Sequence, residues 1–304
     1  MRYALNLPPF GAFADIHALA LLAREAEEAG WDGFFLWDHL QALPGVPVAD
    51  PWVALCAIAL QTRRLRLGAL VTPLPRRRPW KFARETVSLD HLCRGRLIVG
   101  VGLGGDSWFR EYSTFGESVD NRVHGTMLDE GLEVVTGLWS GQPFQYQGQY
   151  YTVRDALFLP PPLQTPRIPI WVAGIWPNKA PMRRAARWDG VCPIVEGHTM
   201  QPAEVRDMLT YIREHRSADD PFDVVLGGSL GKQDPTETAE ILRSYAEAGV
   251  TWWQEGFLWH NTLDEVRARI QQGPPAFASS RESNDDSQAR KRDTSPGQRS
   301  ADSA

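Results

Sequence analysis

The sequence predicts a (β/α)8 barrel. Three observations carry that prediction. The chain has 304 residues, which suits one barrel of roughly 250 residues with additions. Short apolar runs alternate with amphipathic stretches, the order that lays strands down in parallel. Eight such pairs can be counted, which makes a closed parallel cylinder more economical than a doubly wound open sheet.

The first run is Tyr3-Ala4-Leu5-Asn6-Leu7. The helix after it covers 15–29, where Asp15 can cap the start and Gly30 lies just past the end. Its apolar residues Ile16, Leu19, Ala20, Ala23 and Ala26 recur at helical spacing. The second run, 33–37, ends in Asp38-His39, and a helix over 51–62 follows with Pro51 suited to its first turn. The third run, 65–71, closes on Thr72-Pro73 and leads to a helix over 79–92. The fourth, 97–101, opens into Gly102-Leu103-Gly104-Gly105-Asp106.

There the rhythm breaks. Residues 106–166 read as an insertion after the fourth strand: an irregular loop with a helical turn over 106–119, a long helix over 121–139, and a Gln-, Tyr- and Pro-rich stretch with a short hairpin around Gln147-Gly148. The alternation resumes with strands at 168–174, 190–194, 222–227 and 250–255, each followed by a helix, at 178–187, 203–215, 235–248 and 262–271. The barrel domain spans 1–275. From 276 to 304 Ser, Asp, Arg and Gln dominate, and such a segment buries too little surface to offset its ordering entropy, so a disordered tail is expected.

Apolar residues make up 43% of the chain, enough for a sizeable core. The net charge of −5 and a pI near 5.8 disfavour a nucleic-acid or anionic-membrane binder, both of which need a basic face. Cys56, Cys93 and Cys192 are odd in number and far apart, so they read as reduced thiols, with neither a disulfide nor a metal site expected. No signal peptide and no membrane-length apolar run is visible, and a soluble cytoplasmic protein is the expectation.

Barrel chemistry sits at the C-terminal ends of the strands. Asp38-His39 is the sharpest polar pair there. Neighbouring strand residues face opposite ways, so only one of the two need enter the mouth. A histidine in that place can move a proton near neutral pH, and the plain alternative is a ring satisfied by a backbone carbonyl. Gly102 and Gly104 would let a ring or phosphate approach the backbone, or simply make a tight turn. The glycines do not form a dinucleotide fingerprint. Gly174, Ile175 and Asn178 precede a helix, which offers either an anion site or an ordinary cap, with Lys179, Arg183 and Arg184 nearby. Gly227, Gly228 and Ser229 end the seventh strand.

Several stretches together resemble the luciferase-like flavin-dependent oxidoreductases. They are Gly30-Trp31-Asp32-Gly33 with Asp38-His39, the run from Thr62 through Leu70-Val71-Thr72-Pro73, Ala83 to Leu92 with Gly95 to Gly104, and Ala186-Arg187-Trp188-Asp189-Gly190. The similarity covers about 1–275. It implies reduced FMN or coenzyme F420 across the barrel mouth, with Asp38-His39 beside the ring and Leu70, Val71 and Thr72 under its face. A non-proline cis peptide at Leu70-Val71 is implied too. Gly174 and the N–H groups after it would meet the phosphate, and the insertion would cover the mouth.

The resemblance further implies a small organic substrate that receives a hydride or activated oxygen, a flavin reductase as a partner, and pairing into homodimers. His39 would assist proton transfer or steady the reduced ring, and Asp38 would orient His39 or the strand end. Two departures bear on the cofactor. Many deazaflavin-dependent members carry a carboxylate where this chain has Gly105, with Asp106 next, and the loop after the sixth strand lacks a clear lysine for a polyglutamate tail. The alternatives are an F420-dependent dehydrogenase without oxygen chemistry, a non-catalytic flavin carrier, and a barrel isomerase acting on a sugar phosphate.

Overall fold

The computed structural model describes residues 1–217, 220–228 and 234–275. Ser229 and the expected disordered tail at 276–304 lie outside the described residues. The strands are β1 (Arg2–Leu7), β2 (Gly33–Leu36), β3 (Arg66–Ala69), β4 (Thr72–Pro73), β5 (Val99–Gly102), β6 (Phe144–Gln147), β7 (Thr152–Ala156), β8 (Ile170–Ile175), β9 (Gly190–Ile194), β10 (Asp223–Gly227) and β11 (Trp252–Gly256). The helices are α1 (Ile16–Glu28), α2 (Pro51–Gln61), α3 (Pro79–Leu92), α4 (Asn121–Trp139), α5 (Lys179–Ala185), α6 (Pro202–His215), α7 (Pro235–Ala248) and α8 (Leu263–Gln271). Asp15 caps α1 as expected, its Oδ1 accepting the His17 and Ala18 N–H groups.

The main sheet runs β3-β2-β1-β11-β10-β9-β8-β5-β4. Its two ends meet. Leu67 bridges Leu97 in parallel, and the Ile98 N–H donates to the Leu67 carbonyl at 2.9 Å. The sheet is therefore a closed parallel barrel, with one helix after each of its eight staves β1, β2, β3, β5, β8, β9, β10 and β11.

The third stave is shorter than the apolar run 65–71. It pairs with β2 only as far as Ala69, opposite Leu36. The Leu70-Val71 peptide is cis, and the chain then changes partner: Thr72 in β4 lies opposite Val101 of β5.

The span 106–166 does not form a single added unit. α4 within it takes the fourth place in the helix ring. Arg184 of α5 grips Asp129 of α4 through a fork of 2.7 and 2.8 Å, and Trp139 Nε1 of α4 donates to Thr86 Oγ1 of α3 at 3.1 Å. The additional chain falls in two pieces, a loop before α4 and the β6–β7 hairpin after it. Glu130 of α4 holds the hairpin by accepting the N–H groups of Gln149, Tyr150 and Tyr151 at 2.7, 2.9 and 3.1 Å.

One apolar layer lies between the strands and the helices. A second fills the barrel: Ala4, Phe35, Leu70, Ile98, Trp171, Cys192, Val225 and Trp252, one residue from each stave or from its immediate flank. The Trp171 and Trp252 rings meet at 5.4 Å. The interior is thus packed, as barrel interiors are, and this plug floors the open C-terminal end. Among the described residues no helix is long and apolar enough to cross a membrane, and no group of three or more His, Cys, Asp or Glu could hold a metal ion.

Candidate active site at the C-terminal mouth

β2 ends at Leu36, and the chain turns over the rim through Trp37, Asp38 and His39. The two polar side chains part there. Asp38 is buried at 1% exposure and makes no hydrogen bond to His39. Its Oδ2 accepts from Trp52 Nε1 at 2.9 Å and from Thr72 Oγ1 at 2.8 Å. Arg76 Nη2 donates to its Oδ1 at 3.0 Å, and Arg77 Nη2 to its Oδ2 at 2.9 Å. Burial alone would raise its pKa. The Arg77 and Arg76 charges, with the Trp52 and Thr72 hydrogen bonds, outweigh burial and hold the carboxyl below the usual carboxylate range.

His39 is half-buried and faces the loop that precedes α4. Its Nδ1 lies 2.7 Å from Glu111 Oε2. Glu111 is itself buried. Its Oε1 accepts the N–H groups of Leu40 and Gln41, and Arg76 Nη1 stands 2.8 Å from Oε2 as an ion pair, without the alignment of a hydrogen bond. Burial works against the charge on Glu111, but His39, then Arg76 and the Leu40 N–H, lower its pKa below the ordinary value. Three rings pack edge-on around the imidazole: Phe109 at 4.8 Å, Phe10 at 5.5 Å and Trp37 at 6.1 Å.

The floor of the mouth is made of small and apolar residues. A Cβ on Gly102 would come within 3.0 Å of Val71 Cγ2 and 3.5 Å of the Ala173 Cβ, so these three residues share one surface. Leu70 beneath them belongs to the interior plug. Ile175 and Ile194 lie opposite each other at the ends of β8 and β9, both exposed. Asn6 and Gln254 stand two residues beyond the plug residues Ala4 and Trp252, on the same inward faces. Asn6 Oδ1 and Gln254 Oε1 have no hydrogen-bond partner among the described residues.

Gly104 has φ +73°, and a Cβ there would meet the Pro73 Cβ at 2.8 Å, so the turn requires glycine. Gly174 is explained by packing, because its missing side chain would sit 2.3 Å from the Pro181 Cβ of α5. Beyond it, the Trp176 N–H bonds the Ile194 carbonyl and the Asn178 N–H bonds the Ile175 carbonyl. Asn178 precedes α5 with its side chain free of any capping bond. The basic residues nearby are engaged. Lys179 Nζ lies over the Trp176 and Tyr211 rings at 4.0 and 4.3 Å, Arg183 donates to Tyr211 Oη, and Arg184 holds Asp129. Asp106 accepts the Tyr112 and Ser113 N–H groups and so serves the loop's own turn.

This geometry of rim, floor and broken third stave coincides with a family match. The model of the luciferase-like monooxygenases covers residues 4–302. The chain belongs to this family. Its members are FMN- and F420-dependent oxidoreductases and monooxygenases. An uncharacterized protein of Mycobacterium tuberculosis is 32% identical over 197 residues, covering 59% of this chain and 66% of that protein, just under two thirds of its length. The F420-dependent glucose-6-phosphate dehydrogenase of Kineococcus radiotolerans is 27% identical, over 82% of this chain and 74% of its own. Among solved structures, a monooxygenase of Streptomyces bottropensis aligns with a TM-score of 0.73 at 20% identity, over 90% of this chain and 97% of its own. That likeness shows the fold.

Within this luciferase-like chain, sequence reasoning finds the strand-end residues and misses Glu111, Arg76, Arg77 and Trp52. The run Arg76-Arg77-Arg78 directly after Thr72-Pro73 is a usable signal, since three cations just past a strand end call for nearby anions. Glu111 lies in an irregular loop 72 residues from His39, and no local pattern marks it.

Proposed function

We propose that this luciferase-like protein is an oxidoreductase that holds reduced FMN or coenzyme F420 across the barrel mouth and passes to a small organic substrate either a hydride or, with reduced FMN and molecular oxygen as co-reactant, one oxygen atom, the other leaving as water. The observation that carries this reading is the low, apolar floor. Gly102, with Val71 and Ala173, leaves a surface on which a flat ring can lie, and Asn6 Oδ1 and Gln254 Oε1 are acceptors in want of donors such as ring N–H groups. The bound cofactor would supply the reducing electrons.

The chain's own residues then have distinct tasks. Val71, Gly102 and Ala173 support the ring, and Ile175 and Asn178 stand where its acidic tail would run. His39 holds or accepts a proton at Nε2. Asp38 keeps the rim rigid through Thr72, Arg76 and Arg77. With FMN, a separate flavin reductase would deliver the reduced form.

Paired titrations test the reading. FMN and F420 are each added to the full chain and followed by absorbance and fluorescence. One of them should bind saturably at one site per chain, and a Gly102→Val variant should bind it at least tenfold more weakly. Binding of neither would overturn the proposal.

A further inference from the structure

We infer that Glu111, carried by the loop between β5 and α4, is a positioning residue that fixes the His39 ring with Nε2 free to accept a proton at the mouth. Its purpose rests on reading the mouth as the reaction site, whereas the contact itself needs no cofactor.

An ionised carboxylate only accepts hydrogen bonds. With Glu111 Oε2 2.7 Å from Nδ1, that nitrogen must carry the hydrogen. In the neutral ring the lone pair then belongs to Nε2, because the bond made by one imidazole nitrogen sets the state of the other. Nε2 has no hydrogen-bond partner among the described residues.

Glu111 is held too firmly to swing away. Leu40 and Gln41 present backbone N–H groups to Oε1, and Arg76 flanks Oε2 at 2.8 Å. The same loop brings Phe109 against the His39 ring, and Gln41 Nε2 donates back to the Phe109 carbonyl. Docking of the loop therefore assembles the proton acceptor. With the loop displaced, His39 would keep Phe10 and Trp37 but lose the group that sets its tautomer.

The charges facing His39 are few. Glu111 and, behind it, Arg76 come from the loop and from the segment after β4. Asp38, its neighbour in sequence, is turned toward Arg76 and Arg77. Phe10 and Trp37 present neutral rings. Neutralising Glu111 would remove the acceptor-only group that keeps the hydrogen on Nδ1.

Nitrogen-15 NMR of the histidine rings in the cofactor-free full chain tests this directly, with His39→Gln assigning the signal. The wild-type ring, when neutral, should show protonated Nδ1 and unprotonated Nε2. In Glu111→Gln the ring should no longer be held in that one tautomer, and signal from protonated Nε2 should appear. Protonated Nε2 in the wild type would overturn the inference, as would an unchanged tautomer in Glu111→Gln. Should that variant fail to fold, the wild-type tautomer decides alone. The outcome is separable from the cofactor titrations, since either experiment can fail while the other succeeds.

Discussion

Asp38 organises the rim by giving one buried carboxylate to four donors. Two of them are guanidinium groups, so asparagine is a poor substitute: it removes the charge and leaves the buried Arg76 and the partly buried Arg77 beside an amide. Losing one partner of a buried ion pair costs about 3–5 kcal/mol, and Asp38→Asn should destabilise on that scale at pH 7. The pH dependence follows from the lowered pKa. An unfolded aspartate titrates near 3.9. The folded value lies lower, so this contribution is complete above about pH 4 and disappears as pH falls through the folded pKa. Urea denaturation from pH 7 to pH 2 checks both points: the variant should start lower and show a shallower acid limb. Equal urea midpoints at pH 7 would contradict this account. Asp38 and His39 were legible as strand-end polar residues, but not their division of labour. Asp38 serves the rim while His39 turns to a partner from another loop, and that pairing is settled by tertiary contact alone.

Secondary elements were legible where a local rule fixes them. Asp15, Pro51 and Pro79 mark helix starts that hold in the fold, and the hairpin near Gln147-Gly148 is present as β6–β7. The break after β3 was not legible from apolar periodicity, because Leu70 and Val71 are as apolar as the strand before them. What ends the strand is a change of partner from β2 to β5. The fourth helix reads as part of an insertion because chain added on both sides of it disturbs the βα rhythm.

Gly174 gives a test at this scale. Its absent side chain makes room for α5: a methyl group there would stand 2.3 Å from Pro181 and 3.0 Å from Met182. Gly174→Ala should therefore push α5 off β8 and cost about 1–3 kcal/mol, the usual range for overpacking. A lowered melting temperature in the cofactor-free chain would show it. A variant that melts like wild type would return the glycine to a role in backbone access alone.

A barrel also has to close, and eight staves read from sequence do not reveal where closure is tightest. Here it is the seam between β3 and the chain entering β5, where a single bridge from Leu67 to Leu97 stands in place of a longer ladder. Gly68 makes the approach possible. A Cβ at that position would lie 1.9 Å from the Ile98 carbonyl oxygen and 3.1 Å from its carbon. Both obstacles are backbone, so no rotamer change relieves them. Gly68→Ala must separate the two strands, loosening the interior plug around Trp171 and Trp252. The expected cost is about 3 kcal/mol or more, at the upper end for overpacking, with loss of the near-ultraviolet circular dichroism of the packed tryptophans. Gly105→Ala is the control, because a Cβ there meets nothing within 4 Å. If the two variants melt together at the wild-type temperature, the seam is not what holds the cylinder shut.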